Sequence, residues 1–196
     1  MEIEQSEVMI LTPDGRMPAF VYTSTKPDYK PAVLLLMEAF GLTPYIGDVA
    51  IEIAKEGYVV LTPDLYYREL PNNKFGYDEV EKAMEMMYRL DFGKPMEEDL
   101  QAALAYLKSR PDLNPDRVGV TGFCLGGGLS FFTACKLSGE IAAAASFYGM
   151  VLDEWIDEIT NKYILMQVTV FFATNELTIT IWRRKTLFNI SLSYCW

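Results

Sequence analysis

The stretch Gly122-Phe123-Cys124-Leu125-Gly126-Gly127 holds the side chain best placed for covalent chemistry. A short apolar run, Arg117 to Thr121, leads into it, and a helix-like run, Leu129 to Leu137, follows. A strand, a sharp turn and a helix, with the reactive group at the turn, is the nucleophile-elbow layout, here with Cys in the Ser place. The chemistry explains the glycines. A nucleophile on a strained turn needs small neighbours, so that the backbone can bend and substrate can approach. A helix starting at this turn aims its N-terminal dipole at the thiol and favours the thiolate. The ordinary fate of a free Cys is a small buried core residue. The elbow context outweighs that alternative for Cys124, whereas Cys135 on the following helix reads as core.

The elements that must position this turn are legible on both sides of it. Glu7 to Leu11 and Met17 to Thr23 read as strands, and Pro13-Asp14-Gly15 between them is turn chemistry, which predicts a hairpin. Ala32 to Met37 is a continuous apolar run of the kind found in strands buried on both faces. Glu38 follows at its C-terminal end, the edge of a parallel sheet at which ligands bind, so it reads as functional rather than as a solvated strand-end carboxylate. Ile46, Val49, Ala50, Ile53 and Ala54 keep helical spacing until Gly57. Tyr58 to Leu61 is the next buried strand. Asp78 to Leu90 is a helix with Val80, Ala83, Met84, Met87 and Tyr88 on one face. Pro95 to Arg110 is another, with Glu97, Glu98 and Asp99 in its first turn and Leu100, Ala103, Leu104 and Leu107 as its stripe. Ile141 to Tyr148 and Ile164 to Ala173 are further strands. Strands alternating with helices predict a mostly parallel sheet with helices on both faces.

Length predicts one domain, 1–196. The net charge of −10 supplies no basic stripe and argues against nucleic acid. Three Cys without paired spacing argue for a reducing compartment. The N-terminus has no signal-peptide core and no apolar run reaches spanning length, so the expectation is a cytoplasmic protein without a membrane role. No cofactor or metal is expected. One count matters most: the chain contains no His. Imidazole as base or metal ligand is therefore excluded within it, and a second copy cannot supply one.

The stretch 161–196 differs in kind. It holds one acidic residue, Glu176, against Lys162, Arg183, Arg184 and Lys185, while the chain before it is strongly acidic. Leu177 to Trp182 alternates like a strand, and Ser191 to Trp196 matches no element. Either this is an ordinary edge strand, or the tail is not native to the fold, as after a change of reading frame. Trp182-Arg183-Arg184-Lys185 reads as a solvated face.

Several pieces together resemble the dienelactone hydrolase family of α/β-hydrolases. They are Leu35 to Gly41 (LLMEAFG), Gly57 to Tyr66 (GYVVLTPDLY), Val118 to Gly127 (VGVTGFCLGG) and Phe147-Tyr148-Gly149, in family order and covering the chain up to about Gly149. The resemblance implies an α/β-hydrolase sheet with an N-terminal hairpin and, in this chain, an incomplete C-terminal end. It implies hydrolysis of lactones and carboxylic esters by a Cys-His-Asp triad. Cys124 then corresponds to the nucleophile, and Glu38 to the Glu that contacts the resting thiol and takes its proton when substrate arrives. The backbone N–H groups of Ala39 and Leu125 correspond to the oxyanion hole. The triad acid follows the next strand, in a turn that here is Ala173-Thr174-Asn175-Glu176, which makes Glu176 the candidate. Arg68 and Arg89 fall in the region of the substrate-carboxylate arginines. Nothing corresponds to the triad His. The expected partner is a small ester or lactone, with weak or absent turnover; the alternative is a non-catalytic module that binds a small acid or ester.

Overall fold

The computed structural model describes residues 2–26, 29–69, 74–150 and 155, together with the backbone of three strands between 164 and 193. Strands β1 (Ile3–Thr12) and β2 (Gly15–Ser24) form the expected hairpin, longer than the apolar alternation suggested because the ladder runs from Thr12↔Gly15 out to Ile3↔Ser24. Strand β3 (Lys30–Leu36) lies at the centre, parallel to both β4 (Val59–Pro63) and β5 (Leu113–Phe123). Strand β6 (Ala143–Phe147) continues parallel beyond β5, and β7 (Ile164–Phe171) beyond β6. With β8 (Glu176–Arg183) and β9 (Thr186–Ser193), the sheet order is β1-β2-β4-β3-β5-β6-β7-β8-β9, a parallel centre with an antiparallel hairpin at each edge.

The far edge corrects the sequence reading. Strand β8 (Glu176–Arg183) is not alone, because β9 (Thr186–Ser193) folds back on it through eight residue pairs and includes Ser191 to Ser193, where no element was expected. Residues 194–196 lie outside the described residues.

Helices cover both faces, and strand alternation assigns the residues between them. Helix α1 (Pro44–Lys55) has Thr43 as its N-cap and Pro44 at its first position, and it buries Ile46, Ala50 and Ala54 against Tyr22, Leu35 and Val60. Leu34 and Leu36 point the other way, into a core shared with α3 (Lys94–Lys108) and α4 (Leu125–Lys136). Each fully buried Leu of that core is worth about 2 kcal/mol of transfer free energy. Helix α2 (Val80–Arg89) turns Ala83 and Met86 inward, leaving Val80 and Tyr88 exposed. Of the face expected from its spacing, Ala83, Met84 and Met87 do meet the core, and only Val80 and Tyr88, near the helix ends, do not. In α3, Asp99 is not a solvated first-turn carboxylate but is fully buried and held by Arg68.

Candidate active site

Strand β5 delivers Cys124 and α4 takes the chain away from it, one turn earlier than the Leu129 start read from hydropathy. Cys124 has φ 54° and ψ −117°, a conformation that costs a non-Gly residue about 1–3 kcal/mol. Two hydrogen bonds hold it: its N–H donates to the Phe147 carbonyl at 3.1 Å, and its own carbonyl accepts from the Gly128 N–H at 3.1 Å. The flanking glycines are steric necessities. A Cβ on Gly122 would lie 2.6 Å from the Gly126 backbone, and one on Gly126 would overlap the Leu36 carbonyl oxygen. The first turn of α4 is thereby pressed against the end of β3, beside which Glu38 lies. The half-buried thiol sits at the helix N-terminus, and the Leu125 N–H is the first of the amides that the helix leaves without an internal partner.

Glu38 sits in a tight turn closed by the Gly41 N–H donating to the Glu38 carbonyl at 2.9 Å. Its side chain is buried, and Oε1 accepts two hydrogen bonds, from the Thr43 hydroxyl at 2.9 Å and the Tyr77 hydroxyl at 2.8 Å. Thr43 thus serves two structures, since its Oγ1 also caps α1 by accepting from the Ile46 N–H at 3.5 Å. Ala39, next in the same turn, is fixed from beneath: the buried Tyr66 hydroxyl donates to its carbonyl at 2.8 Å. Burial, then the neighbouring Cys124 and Asp64, push the Tyr66 phenol far above its ordinary value, so it remains a donor. The Phe75 N–H donates to the Phe40 carbonyl at 2.9 Å, and the Tyr77 ring meets Phe40 edge-on at 4.9 Å, which ties the 75–77 segment to the Glu38 turn.

Tyr148, at φ 41°, closes the arrangement. Partial burial raises its phenol pKa, and Tyr45, Cys124, Glu38 and Tyr77 each raise it further, which places all five groups in one neighbourhood. Cys124, Glu38, Ala39 and Leu125 are therefore brought together.

The two arginines are engaged elsewhere. The Arg68 guanidinium donates to Asp14 at 2.8 Å and grips the Asp99 carboxylate through both of its terminal nitrogens. Arg89 is exposed and paired with Glu85 at 2.6 Å and Glu69 at 3.9 Å. The backbone of Glu176 opens β8, paired with Phe171 and Ser193; residues 172–175 of its turn lie outside the described residues. Among the described residues there is no group of three or more His, Cys, Asp or Glu able to hold a metal, and no helix long and apolar enough to cross a membrane.

Sequence reasoning missed Thr43, Tyr45, Tyr66, Tyr77 and Tyr148 as site residues. Thr43-Pro44 carried a readable helix-start signal. Tyr77 carried none, because it reaches Glu38 across 39 positions.

The model of the dienelactone hydrolase family matches residues 17–187, reaching past Gly149 through β7 and β8. Carboxymethylenebutenolidase from Pseudomonas putida is 31% identical over 132 residues, covering 66% of this chain and 54% of that protein. The carboxymethylenebutenolidase of another Pseudomonas strain is 31% identical over 164 residues, 81% of this chain and 66% of its own. The fold is shared with a dienelactone hydrolase-like promiscuous phosphotriesterase from metagenomic libraries, with a TM-score of 0.67 at 20% identity over 84% of this chain and 68% of that one. The chain spans about half the length of the first relatives it matches.

Proposed function

This chain belongs to the dienelactone hydrolase family of the α/β-hydrolase superfamily, and from that premise we propose that it attacks lactones and carboxylic esters through Cys124 and releases the acyl group slowly. The observation that carries the reading is Cys124 at a positive φ on the N-terminus of α4, beside a buried Glu38. In the proposed step Glu38 Oε2 takes the thiol proton, because Oε1 is already occupied by Thr43 and Tyr77. The sulfur bonds to the acyl carbon while the Ala39 and Leu125 N–H groups stabilise the oxyanion. The ester C–O bond then breaks, and the departing oxygen leaves with the electron pair and takes the proton back from Glu38.

Deacylation needs a water activated by a base. With no His in the chain, no imidazole provides one, and loss of a triad member costs about 10⁴-fold in turnover. Glu176 keeps its place in the proposal as the carboxylate after β7, but it has no imidazole to orient and no step passes through it. The 161–196 stretch keeps its reading as an atypical tail, and the free Cys124 and Cys135 suit a reducing, cytoplasmic setting.

The test is stopped-flow with para-nitrophenyl acetate. The expected result is a burst approaching one nitrophenolate per chain, an acetyl group located on Cys124 by peptide mass, and little turnover afterwards. Steady multiple turnover at the rate of a His-containing relative overturns the reading, as does a missing burst when Cys124 still alkylates. The zero His count favours one second reading, a module that binds a small acid or ester without chemistry; it predicts binding that survives Cys124→Ala.

A further inference from the structure

Among the described residues, aromatic side chains gather around Cys124. Tyr45 is 47% exposed, Tyr148 43% and Tyr77 57%, although large aromatic side chains ordinarily bury most of their surface. They are not scattered. Phe123, the residue before the thiol, stacks on Phe147 with centroids 5.0 Å apart and meets Tyr45 at 6.2 Å and Tyr148 at 6.1 Å. Tyr77 continues the surface on the Glu38 side. Contiguous apolar surface left open in this way marks a ligand contact.

The charges point the same way. Among the described residues, the groups acting on the Tyr148 hydroxyl are Tyr45, Cys124, Glu38 and Tyr77, none of them a cation. Arg68 and Arg89 spend their charge on Asp14, Asp99, Glu69 and Glu85. Beside Cys124, a substrate carboxylate would meet the Glu38 side chain, a like charge.

We propose that the site selects uncharged esters or lactones bearing an aromatic group, which the Tyr45–Phe123–Tyr148 collar holds edge-on beside Cys124, and that it disfavours carboxylate-bearing ones. The inference rests on Cys124 as the reacting thiol only for its kinetic readout; the binding readout is independent of it.

The experiment uses the full chain and three para-nitrophenyl esters, of phenylacetate, cyclohexylacetate and para-carboxyphenylacetate, with burst rates normalised to their reaction with free cysteine. The expected order places phenylacetate about threefold above cyclohexylacetate, from ring–ring contact. It stands about tenfold above the carboxylate-bearing ester, from charge and lost apolar contact. Tyr45→Leu removes the aromatic preference and Tyr45→Phe retains it. In parallel, the amides of the same three acids protect Cys124 from iodoacetamide, followed by peptide mass so that Cys135 does not contribute. Protection in the same order without any burst supports the aromatic selection and refutes acylation at Cys124. Bursts or protection favouring the carboxylate-bearing compound overturn the proposal. So do an order unchanged in Tyr45→Leu, and the absence of both burst and protection.

Discussion

Glu38 accepts two hydrogen bonds of nearly equal length, so the structure makes a sharp statement about what separates them. The Thr43 bond measures 2.9 Å and the Tyr77 bond 2.8 Å. Their burial differs widely, since Thr43 is 5% exposed and Tyr77 57%. Removing a hydrogen bond from a buried carboxylate costs about 1.5–3 kcal/mol, because the oxygen is left without water to replace the donor. Thr43→Val also removes the N-cap of α1; that bond is long, 3.5 Å, so its contribution sits near the low end, about 0.5 kcal/mol. The sum is about 2–3.5 kcal/mol. At roughly 2–4 °C per kcal/mol for a chain of this size, Tm should fall by about 4–14 °C. Tyr77→Phe keeps the edge-on contact with Phe40 and exposes Oε1 to water, so its cost should stay near 0.5 kcal/mol. Thr43→Ser, which keeps the oxygen, should restore most of the loss. The measurements are thermal melts and urea midpoints of the three variants, with Glu38→Gln as the partner in a double-mutant cycle. Equal losses for Thr43→Val and Tyr77→Phe, or no coupling of Thr43 to Glu38, would refute the reasoning that burial decides the energy of these bonds.

Two further outcomes follow from the packing. Gly126→Ala drives a methyl into the Leu36 carbonyl oxygen, a backbone atom that cannot swing aside, and should cost more than about 3 kcal/mol or abolish the cooperative melt; Gly139→Ala, with open space around it, should change the urea midpoint by less than about 0.5 kcal/mol. Arg68→Met strands the buried Asp99 carboxylate and should cost about 3 kcal/mol by the same melt, while the rate of iodoacetamide alkylation at Cys124 stays unchanged; a stable Arg68→Met variant with altered alkylation would return Arg68 to the site.

The parts of the fold that the sequence disclosed are those set by local rules. The apolar run ending at Leu36, the Gly57 stop after α1, with φ 93°, and the turn between β1 and β2 each follow from backbone preference or period. The turn that carries Cys124 and the strand end before Glu38 were legible because strand ends and glycine-flanked turns carry a motif. The tyrosines of the site were not, since each arrives from a different element and only tertiary packing brings it in. The inward face of α2 was legible at its centre, where Ala83, Met84 and Met87 meet the core, while Val80 and Tyr88 at its two ends keep the period yet stay exposed. The pairing of Arg68 with Asp14 and Asp99 was not legible, because proximity in sequence to site motifs says nothing about which carboxylate a guanidinium finds first. The hairpin of β8 and β9 was half visible: β8 alternates, whereas β9 mixes polar residues that a strand at the edge of a sheet can carry on either face.

The elbow owes its shape to packing rather than to catalysis. Gly122 and Gly126 are demanded by the approach of α4 to β3, and the strained φ of Cys124 is paid for by hydrogen bonds to Phe147 and Gly128. Tyr66 fixes Ala39 from inside the core, and Thr43 fixes Glu38 as a by-product of capping α1. Each of these contacts, among the described residues, is made between Leu36 and Phe147. None of them requires an imidazole. If Cys124 acylates as proposed above, a chain without His has no imidazole to activate the water that would free it, so the proposal separates acylation from turnover. Their separation is measurable as a burst of one equivalent in a protein whose steady rate lies orders of magnitude below it.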